Sequence, residues 1–547
     1  PTTASTLTLA SGNLTINADG GTGVAGAITD SGTGLLSTTL GNLTLTANGG
    51  IGALAGPAPL HIGTVGGVLS ATNATAGDLF LQTGNITLGG ASAVLSQFGT
   101  GILRVDATTN LTDNITIAGN IGVAGAGTVI LNARNNITFA QGTGITGVST
   151  GASGTVNLTA DSDSSGGGAI NGNVLAATDV STSTLNLAAA QGIGASNAIE
   201  TIASTISLKN STSGAIQVTN TLSGGVTFSG TQIAANATLI ETAGNITIGA
   251  ADIVSTGGTL TVTAQAVGKS ITAAAGSDIT GAADIVLTAD DMVLGGVVTS
   301  TASVKLDTST ASRGISLGAG AVAGTLGLSN GELSKISTAN LTIGSATHTG
   351  TIVADGAVVI PGTVTSSTSL LTKGGAVALG IHNLTVTAGN LVIDTTQGGG
   401  TGADVAGTGQ LTIGGGTGGL TVTSGNGISL TNTSNQAGVV QLDNSGVGNI
   451  AYNNNGAMTL RSSNTVGSTT VVNQSGGLTV VAAGVNTKGG AVNLTAQGAG
   501  ALLTLTGGVD TTTGGATTGA NVSFTADDMA LTGTTKAGTT GDIVITA

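Results

Sequence analysis

The sequence predicts an all-β fold: a right-handed parallel β-helix, or β-solenoid, whose coils of about 20–25 residues stack into an elongated rod. Three observations predict it. Short strands that alternate apolar and hydroxyl residues recur along the chain, helical periodicity is nearly absent, and longer segments return in imperfect copies. A coil of such strands cannot bury its apolar face alone, so the pattern favours stacking on neighbouring coils.

The most frequent strand is a pattern of Asn, an apolar residue, Thr and a second apolar residue. In an extended chain the apolar residues and Thr point to opposite faces. Thr suits the outer face because its branched Cβ favours extended backbone while its hydroxyl stays hydrated. Asn suits the corner because it tolerates left-handed backbone. The copies occupy residues 13–16, 42–45, 85–88, 114–117, 136–139, 245–248 and 340–343.

Longer copies set the expected coil length. Residues 286–294 return as 523–531, and residues 372–377 return as 487–492. With neighbouring strands about 4.8 Å apart, the expected length gives about 22 to 27 coils and a rod about 105 to 130 Å long. Both ends of the chain lie within the pattern, so residues 1–547 are expected to form one continuous repeat region that is a segment of a longer chain.

One segment, residues 328–337, departs from the strand pattern. Ser329 and Glu332 have the spacing of a helix capping box, and Leu328 and Leu333 have the spacing of the accompanying hydrophobic staple. The sequence therefore predicts a short helical turn that interrupts the repeat.

Composition argues against several classes of function. The chain has 25 acidic and 11 basic residues, a net charge of −14 and 1% aromatic residues. With no basic cluster and few aromatic side chains to stack on bases, nucleic-acid binding is not expected. No apolar run reaches the roughly 18–20 residues that cross a bilayer, so no membrane span is predicted, and residues 1–5 do not resemble a signal peptide. The chain has no cysteine, so it has no thiol nucleophile or thiolate metal site.

Residues 328–356 resemble a recurring unit of filamentous haemagglutinin-like bacterial exoproteins. The resemblance rests on the Leu-Ser-x-x-Glu-Leu-x-x-Ile turn and on the strands at 341–344 and 349–353, and the Thr-x-Gly-Gly-x-Val strands around Lys373 and Lys488 are similar to repeats of the same group. It implies a long right-handed β-helix exported by a type V route, often two-partner secretion. It also implies a location outside the cell or on the cell surface, in a Gram-negative bacterium. The secretion domain of that family is not recognisable in this sequence.

The expected function is therefore the structural shaft of a secreted or cell-surface adhesin or exoprotein, and not an enzyme. The expected partners are neighbouring copies or flanking segments joined by end-to-end strand pairing, and host or cell-surface glycans or proteins. One alternative is a self-assembling subunit of an extracellular filament or matrix. Another is a polysaccharide-active β-helix enzyme, for which the only hint is Tyr452 close to Arg461 in the sequence.

No catalytic, cofactor-binding or metal-binding residue is predicted. Asp290 and Asp291 are adjacent, so alternation sends them to opposite faces, and their return as Asp527 and Asp528 indicates a corner role. The alternatives for this pair are a catalytic or metal-binding role.

The other candidate metal-binding or catalytic residues are also expected to have structural roles. Asp161 and Asp163 lie in a Gly- and Ser-rich loop, where a loosely bound Ca²⁺ is the alternative to a plain loop. Residues 399–405 match a calcium-binding nonapeptide only in part and in a single copy, so a flexible loop is expected. His61, His348 and His382 are far apart in sequence, and each is expected to be a solvated or loop residue.

Two repeated surface features remain. Asn-x-Thr sequons follow automatically from an Asn at the corner and a Thr two residues later, and glycosylation is the alternative interpretation. The outward Thr-x-Thr pairs, such as Thr261 with Thr263 and Thr385 with Thr387, are not expected to form a regular lattice because coil length is irregular. Ice binding by such pairs is therefore not expected.

Overall fold

The computed structural model describes residues 6–18, 25–30, 33–52, 59–88, 95–97, 100–142, 146–175, 177–320, 322–515, 518 and 520–547, with only the backbone described at 231 and 232. The fold is nearly all β, with 53% of residues in strands and 3% in helices, and its parallel coils form a β-solenoid of about 20 turns. The predicted fold class is confirmed. The comparison of residues 1–5 with a signal peptide falls outside the described residues.

The strands are short and follow one another closely in the sequence. The first part of the chain contains β1 Leu7–Leu9, β2 Leu14–Asn17, β3 Leu36–Thr38, β4 Leu43–Ala47, β5 Leu60–Val65, β6 Leu69–Asn73, β7 Leu79–Thr83, β8 Ile86–Leu88, β9 Leu95–Gln97, β10 Ile102–Ala107, β11 Ile115–Ile117, β12 Ile121–Val123, β13 Thr128–Ala133, β14 Ile137–Phe139, β15 Val148–Thr150, β16 Thr155–Ala160, β17 Ile170–Asn171, β18 Val180–Ala189, β19 Ile199–Asn210, β20 Ile216–Asn220, β21 Val226–Ile233, β22 Ala237–Glu241, β23 Ile246–Ser255, β24 Leu260–Ala264, β25 Ser270–Ala273, β26 Ile279–Gly281, β27 Ile285–Thr288 and β28 Asp291–Leu294.

The second part continues in the same way and adds the helical segments. It contains β29 Val298–Ser300, β30 Ser303–Asp307, β31 Gly314–Gly318, β32 Thr325–Ser329, α1 Asn330–Leu333, β33 Ile336–Gly344, β34 Ile352–Ala354, β35 Val358–Ile360, β36 Val364–Leu371, β37 Val377–Gly380, β38 Leu384–Val386, β39 Asn390–Asp394, β40 Val405–Gly407, β41 Leu411–Ile413, β42 Gly419–Ser424, β43 Ile428–Leu430, β44 Val439–Asn444, β45 Ile450–Asn454, β46 Met458–Asn464, β47 Thr469–Asn473, β48 Leu478–Thr487, β49 Val492–Ala496, β50 Leu502–Leu505, β51 Val509–Asp510, β52 Val522–Thr525, β53 Asp528–Leu531, β54 Thr535–Lys536, β55 Ile543–Thr546, and 3-10 turns at Gln397–Gly399, Gly414–Gly416 and Thr513–Gly515.

Two compact units divide the chain, and the first comprises residues 1–269 and 276–282. Its coils between residues 79 and 171 have three strands each. On one face β7, β10, β13 and β16 pair in parallel, and on another β9, β12 and β15 do so. We call the remaining face, formed by β8, β11, β14 and β17, the Asn–Thr face. On it, each rung places the residue of one coil beside the equivalent residue of the next, as with Ile86, Ile115 and Ile137.

The second unit comprises residues 270–275 and 283–547. One of its faces runs from β30 through β33, β36, β39, β42, β44, β46, β48 and β50 to β53. A second face runs from β31 through β34, β37, β40, β43, β45, β47, β49 and β52 to β55. A third face consists of β35, β38 and β41.

Alternation along the strands builds the core of both units. In β4, Leu43, Leu45 and Ala47 are fully buried, whereas Thr44 and Thr46 between them are partly exposed. Burying a Leu or Ile side chain stabilises the fold by about 1.5–3 kcal/mol, and each coil contributes several such residues. The core is therefore mostly aliphatic, with a few buried aromatic side chains such as Phe228 and Phe524.

Coil length varies more than the sequence predicts. We call the coil that leads from β30 to β33 the long coil, and it is almost twice as long as the shortest coils of the second unit. The positions of paired residues show this range: Thr469 pairs with Ile450 in a short coil, Val522 with Val492 in a longer one, and Leu341 with Val304 in the long coil. The expected coil length of about 20–25 residues is therefore too narrow a range, and the expected number of coils, about 22 to 27, is too high.

A coil lengthens when it gains a third strand. The coils that contain β35, β38 or β41 are longer than several later coils with two strands. For example, Leu411 of β41 pairs with Leu384 of β38, whereas Leu460 in a later coil pairs with Val440. The alternation of apolar and polar residues marks each strand but does not determine how many strands a coil has. The observed coil lengths differ from the expected ones for this reason.

The long coil contains the predicted helical turn. Helix α1 is limited to four residues between two strands, so it is shorter than the predicted segment 328–337. Ser329 and Glu332 form a capping box: the Ser329 hydroxyl accepts from Glu332 N, and the Glu332 carboxylate accepts from Ser329 N at 2.8 Å. Leu328 and Leu333 are fully buried. Just before the helix, β32 pairs in parallel with β31, the strand that precedes it in the sequence, which adds an extra strand to this coil.

Candidate functional site

Asp290 binds the following coil at a corner of the second unit. Its buried carboxylate accepts from Ser309 Oγ at 2.9 Å and from Thr310 N and Oγ1 at 2.7 Å each, and it lies 3.9 Å from Arg313 Nη1. Asp291 is partly exposed at the start of β28, and its carboxylate accepts from the next backbone N–H, at 3.0 Å. The two side chains thus occupy different environments, one inside the corner and one outside it.

The copy of this dipeptide makes a different contact. Asp527 and Asp528 are both exposed, and Asp527 accepts from Gly500 N of the preceding coil at 2.9 Å. Asp290, in contrast, binds the following coil. The repeated segment therefore preserves the path of the chain, strand followed by corner followed by strand, but not the hydrogen bonds of its carboxylates.

The carboxylates of Asp161 and Asp163 are held by their own loop. Asp161 accepts from Ser165 Oγ at 3.0 Å and from Gly166 N at 3.1 Å, and Asp163 accepts from Ser165 N at 3.2 Å. Arg134 Nε lies 3.9 Å from Asp163, so a cation already sits beside this pair. Within the described ranges, no group of three or more His, Asp or Glu side chains is arranged to hold a metal ion.

Residues 399–405 begin at the end of a 3-10 turn and lead into β40. The Thr395 hydroxyl donates to Ala403 O at 2.8 Å, which closes the loop, and Asp404 is exposed. The segment is thus a loop whose end is bound by the Thr395 side chain, just outside it.

The three histidines lie in three different environments. His61 Nδ1 is 3.0 Å from Asp30, and His382 is partly exposed. His348 lies in the loop between β33 and β34, as one of the two predicted alternatives has it, but its side chain is buried and not solvated. Its Nδ1 is 3.1 Å from Thr308 Oγ1 and 3.7 Å from Asp307. Burial lowers the pKa of His348, and the Asp307 charge opposes that shift. The local sequence could not reveal this because Thr308 and Asp307 lie in the neighbouring coil, about 40 residues earlier in the chain.

Tyr452 and Arg461, the hint of an enzyme groove, do not meet in a common site. Tyr452 points into the core, where burial raises its pKa, and its hydroxyl donates to Asn454 Oδ1 at 3.0 Å. Arg461 lies on the outer side of β46 and pairs with Asp443 at 2.9 Å. Each side chain thus has a partner of its own.

Asparagine ladders explain the sequons. Oδ1 of Asn85 accepts from Asn114 N at 2.8 Å, Oδ1 of Asn114 accepts from Asn136 N at 2.9 Å, and Oδ1 of Asn136 accepts from Ala169 N at 2.8 Å. Each Asn side chain therefore binds the backbone of the next coil. The sequon residues singled out from the sequence are all exposed: Asn13, Asn42, Asn85, Asn245 and Asn340.

A buried acidic cluster in the first unit escapes sequence reasoning altogether. Asp179 is fully buried and accepts from Gln141 Nε2 at 2.9 Å, from Asn173 N at 3.2 Å and from Glu200 N at 3.0 Å. Burial raises the pKa of Asp179 to about 6, although these hydrogen bonds oppose the shift. The pKa of Glu200 is raised by burial and by the Asp179 charge. No local motif marks this cluster, since its members come from separate corners.

A second missed feature is a duplicated corner in the second unit. Asp394 accepts from Thr396 N at 2.7 Å and Thr396 Oγ1 at 2.8 Å, and Asp510 accepts from N and Oγ1 of Thr512 at 2.7 Å. Each of these Asp and Thr pairs lies one coil after a copy of the segment Thr-Lys-Gly-Gly-Ala-Val. The two copies of that segment are five coils apart. The recurrence of Asp-Thr-Thr at matching distances is the signal that could have revealed it.

The outward Thr residues of β38 and β42 do not form uniform rows. Thr385 lies between Val359 and Thr412 in neighbouring coils, and Thr421 lies between Val392 and Gln441. The rungs along these faces therefore mix hydroxyl, aliphatic and amide side chains.

A polar groove of about 630 Å³ lies in the first unit. Its floor is the Asn–Thr face and its wall is the segment 63–67 of a preceding coil. Among the helices of the described residues, none combines the length and the apolar character that a membrane crossing needs. No protein-family model, curated protein or solved structure matches this chain.

Proposed function

We propose that the chain is the structural shaft of a secreted or cell-surface bacterial adhesin or exoprotein, where it acts as a rigid extracellular rod. The observation that carries the proposal is the pairing of coil upon coil in both units, reinforced at the corners by side chains such as Asp290 and Asn114. Such pairing makes the coils of each unit part of one hydrogen-bonded lattice. Resistance to stretching and to proteases follows from that lattice, as a shaft requires.

Single-molecule force spectroscopy of the full chain tests the mechanical part of the proposal. Unfolding coil by coil releases about 20 to 30 residues at a time, which corresponds to steps of about 65–105 Å of extended chain. A record of such steps supports a shaft. Extension without force peaks contradicts it, because a shaft must resist the load that it transmits.

Location is tested separately, by antibody labelling of intact source cells and of the same cells after lysis. A shaft on the surface is labelled on intact cells or is recovered from the medium, whereas labelling only after lysis contradicts the proposal. Electron microscopy of the isolated protein distinguishes the alternative subunit: long fibres built by end-to-end pairing make assembly itself the function.

A further inference from the structure

The polar groove lies where the Asn–Thr face begins. Among the described strands, β8 is at the edge of that four-stranded sheet, because it pairs with β11 on one side only. The segment 63–67 of the preceding coil contributes Gly63, Gly66 and Gly67 to the wall of the groove. A Cβ added at these glycines would collide with Ser37, Thr39 and Asn42 of the coil before. The glycines therefore allow that coil to stack closely, and they leave bare backbone at these positions of the wall.

The floor of the groove carries two parallel rows of hydrogen-bonding side chains. The rows are Asn85, Asn114 and Asn136, and Thr87, Thr116 and Thr138. Within a row the spacing is that of neighbouring strands, about 4.8 Å, and residues two apart in a strand are separated by about 6.7 Å. The result is a grid of polar groups that extends across three coils.

The asparagine ladder uses only part of the hydrogen-bonding capacity of this grid. Oδ1 of each Asn is occupied by the next coil, and Asn114 Nδ2 donates to Asn85 Oδ1 at 2.9 Å and to Thr112 O at 2.8 Å. Among the described residues, no protein group accepts from Nδ2 of Asn85 or Asn136, and the three Thr hydroxyls of the floor are not hydrogen-bonded to protein. These amide and hydroxyl groups are thus available to a ligand.

The side chains that line the groove, taken over the part of the chain that the structure describes, include no charged and no aromatic residue. An anionic ligand would meet no cation here, and an apolar ligand would leave the amides and hydroxyls without partners. A ligand rich in uncharged hydroxyl groups satisfies both the donors and the acceptors of the grid. An extended peptide pairing with the open edge of β8 is less well suited, because that strand has only three residues.

We propose that this groove is a binding site for an uncharged oligosaccharide, which lies across the rungs of the Asn–Thr face and binds by hydrogen bonds alone. The site does not depend on the chain being a shaft, since any solenoid with this face would have it. Without aromatic stacking, one site binds weakly, with a dissociation constant of about 1 mM. Because no charge takes part, binding is insensitive to salt.

Saturation-transfer NMR on the full chain tests the site, with hexasaccharides of glucose, mannose and galactose as neutral probes and a heparin hexasaccharide as the anionic probe. At least one neutral probe is expected to show saturation transfer at about 50 mM and at about 500 mM salt alike. Thr116→Trp and Thr138→Trp, which fill the floor, are each expected to weaken this binding by about ten-fold or more. Thr261→Trp is the matched control, because Thr261 is an outward Thr within a strand outside the groove.

Equal binding by the groove variants and the control overturns the proposal, as does the absence of saturation transfer from all three neutral probes. Binding of heparin alone, lost at high salt, also overturns it and points to a cationic surface elsewhere. Circular dichroism of the three variants identifies any that fail to fold, and two different groove variants keep the test decisive if one of them does.

Discussion

At the corners of the coils, single side chains link one coil to another. Asp179 accepts hydrogen bonds from three separate segments, and Asp290 accepts from two adjacent residues of the following coil. A typical hydrogen bond contributes about 1 kcal/mol, whereas a buried group that loses its partner costs about 1–3 kcal/mol. The corners are therefore more sensitive to substitution than their loop-like sequence indicates.

The Asp290-Asp291 dipeptide offers a matched pair of substitutions. Asp290→Ala removes the bonds to Ser309 and Thr310 and also the carboxylate 3.9 Å from the partly buried Arg313, so it is expected to cost about 2–4 kcal/mol. Asp291→Ala removes a bond to an adjacent backbone N–H and is expected to change stability by no more than about 0.5 kcal/mol. Urea unfolding of the two variants measures the difference, and equal losses would contradict the corner role of Asp290.

Asp179 gives stability a defined dependence on pH. Its pKa is raised from 3.8 to about 6 in the folded chain, so the folded chain binds this proton more tightly than the unfolded chain does. The resulting stabilisation is fully present below pH 3.8 and is lost as the pH rises through about 6, by at most about 3 kcal/mol. In Asp179→Asn this loss is expected to disappear, as judged by the difference between the unfolding free energies of variant and wild type from about pH 4 to 7.

Glu200 supplies the internal control for that experiment. Its pKa is raised by burial first and by the Asp179 charge second, so part of the shift is relieved in Asp179→Asn. Glu200→Gln is expected to keep the pH dependence that Asp179 causes. Parallel pH profiles for wild type and Asp179→Asn would show that Asp179 is not the group responsible.

At the scale of elements, helix α1 is fixed by side chains at its start. The Glu332 carboxylate accepts from Ser329 N and Ser329 Oγ at 2.8 and 2.7 Å, and it also accepts from Leu294 N at 3.3 Å. The capping box thus joins the helix to β28 as well as closing its own first turn.

Ser329→Ala is expected to destabilise this element by about 1 kcal/mol, because it removes the N-cap hydroxyl. Hydrogen exchange of the amides of residues 330–334 measures the effect locally, and exchange about five-fold faster corresponds to that loss. Lys335→Gln, beyond the helix, changes none of these bonds and should leave the exchange rates unaltered. Faster exchange in the control alone would contradict the importance of the cap.

Strands and the capping box could be predicted because their signals are local. Alternation of period two places the apolar residues of β4 and β11 inside whatever the rest of the chain does, and a capping box needs only residues three apart. The burial of His348 and Asp179 could not be predicted, because their covering residues are distant in the sequence or lie at other corners. For the same reason the groove on the Asn–Thr face could not be found from the sequence, although each Asn and Thr of its floor could.

At the scale of the whole molecule, the register between strands is preserved only if complete coils are added or removed. Leu420 pairs with Val440, and Val440 pairs with Leu460, so two successive coils have the same length. Deletion of residues 440–459 therefore places Leu460 above Leu420 and removes one rung of about 4.8 Å. Circular dichroism and thermal unfolding are expected to show a folded β protein with a melting temperature close to that of the wild type.

Deletion of residues 440–449 is the matched control. It removes half of the same coil, so the strand that follows meets the wrong face and its apolar residues lose the core. Aggregation or loss of cooperative unfolding is expected. If both deletions behave alike, coil register does not govern this part of the fold.

Total coil number could only be bounded from the sequence. The expected coil length came from the repeated segments. Additional strands and turns at the corners lengthen a coil, and the alternation that identifies a strand does not indicate where they occur. The long coil, which contains β31, β32 and α1, is almost twice the length of the shortest, and no strand pattern marks where its extra strand would pair.

The limited range of separations between paired residues has a kinetic consequence. Once a first pair of coils has formed, adding the next requires closing a loop of about 20 to 30 residues in most cases, and doubling a loop adds only about 0.6 kcal/mol to the entropy of closure. Folding should thus proceed as one slow nucleation followed by elongation at a steady rate, so that the duration of the elongation phase grows in proportion to the number of coils. The long coil, which must also form a helix and an additional strand, is where that elongation should pause.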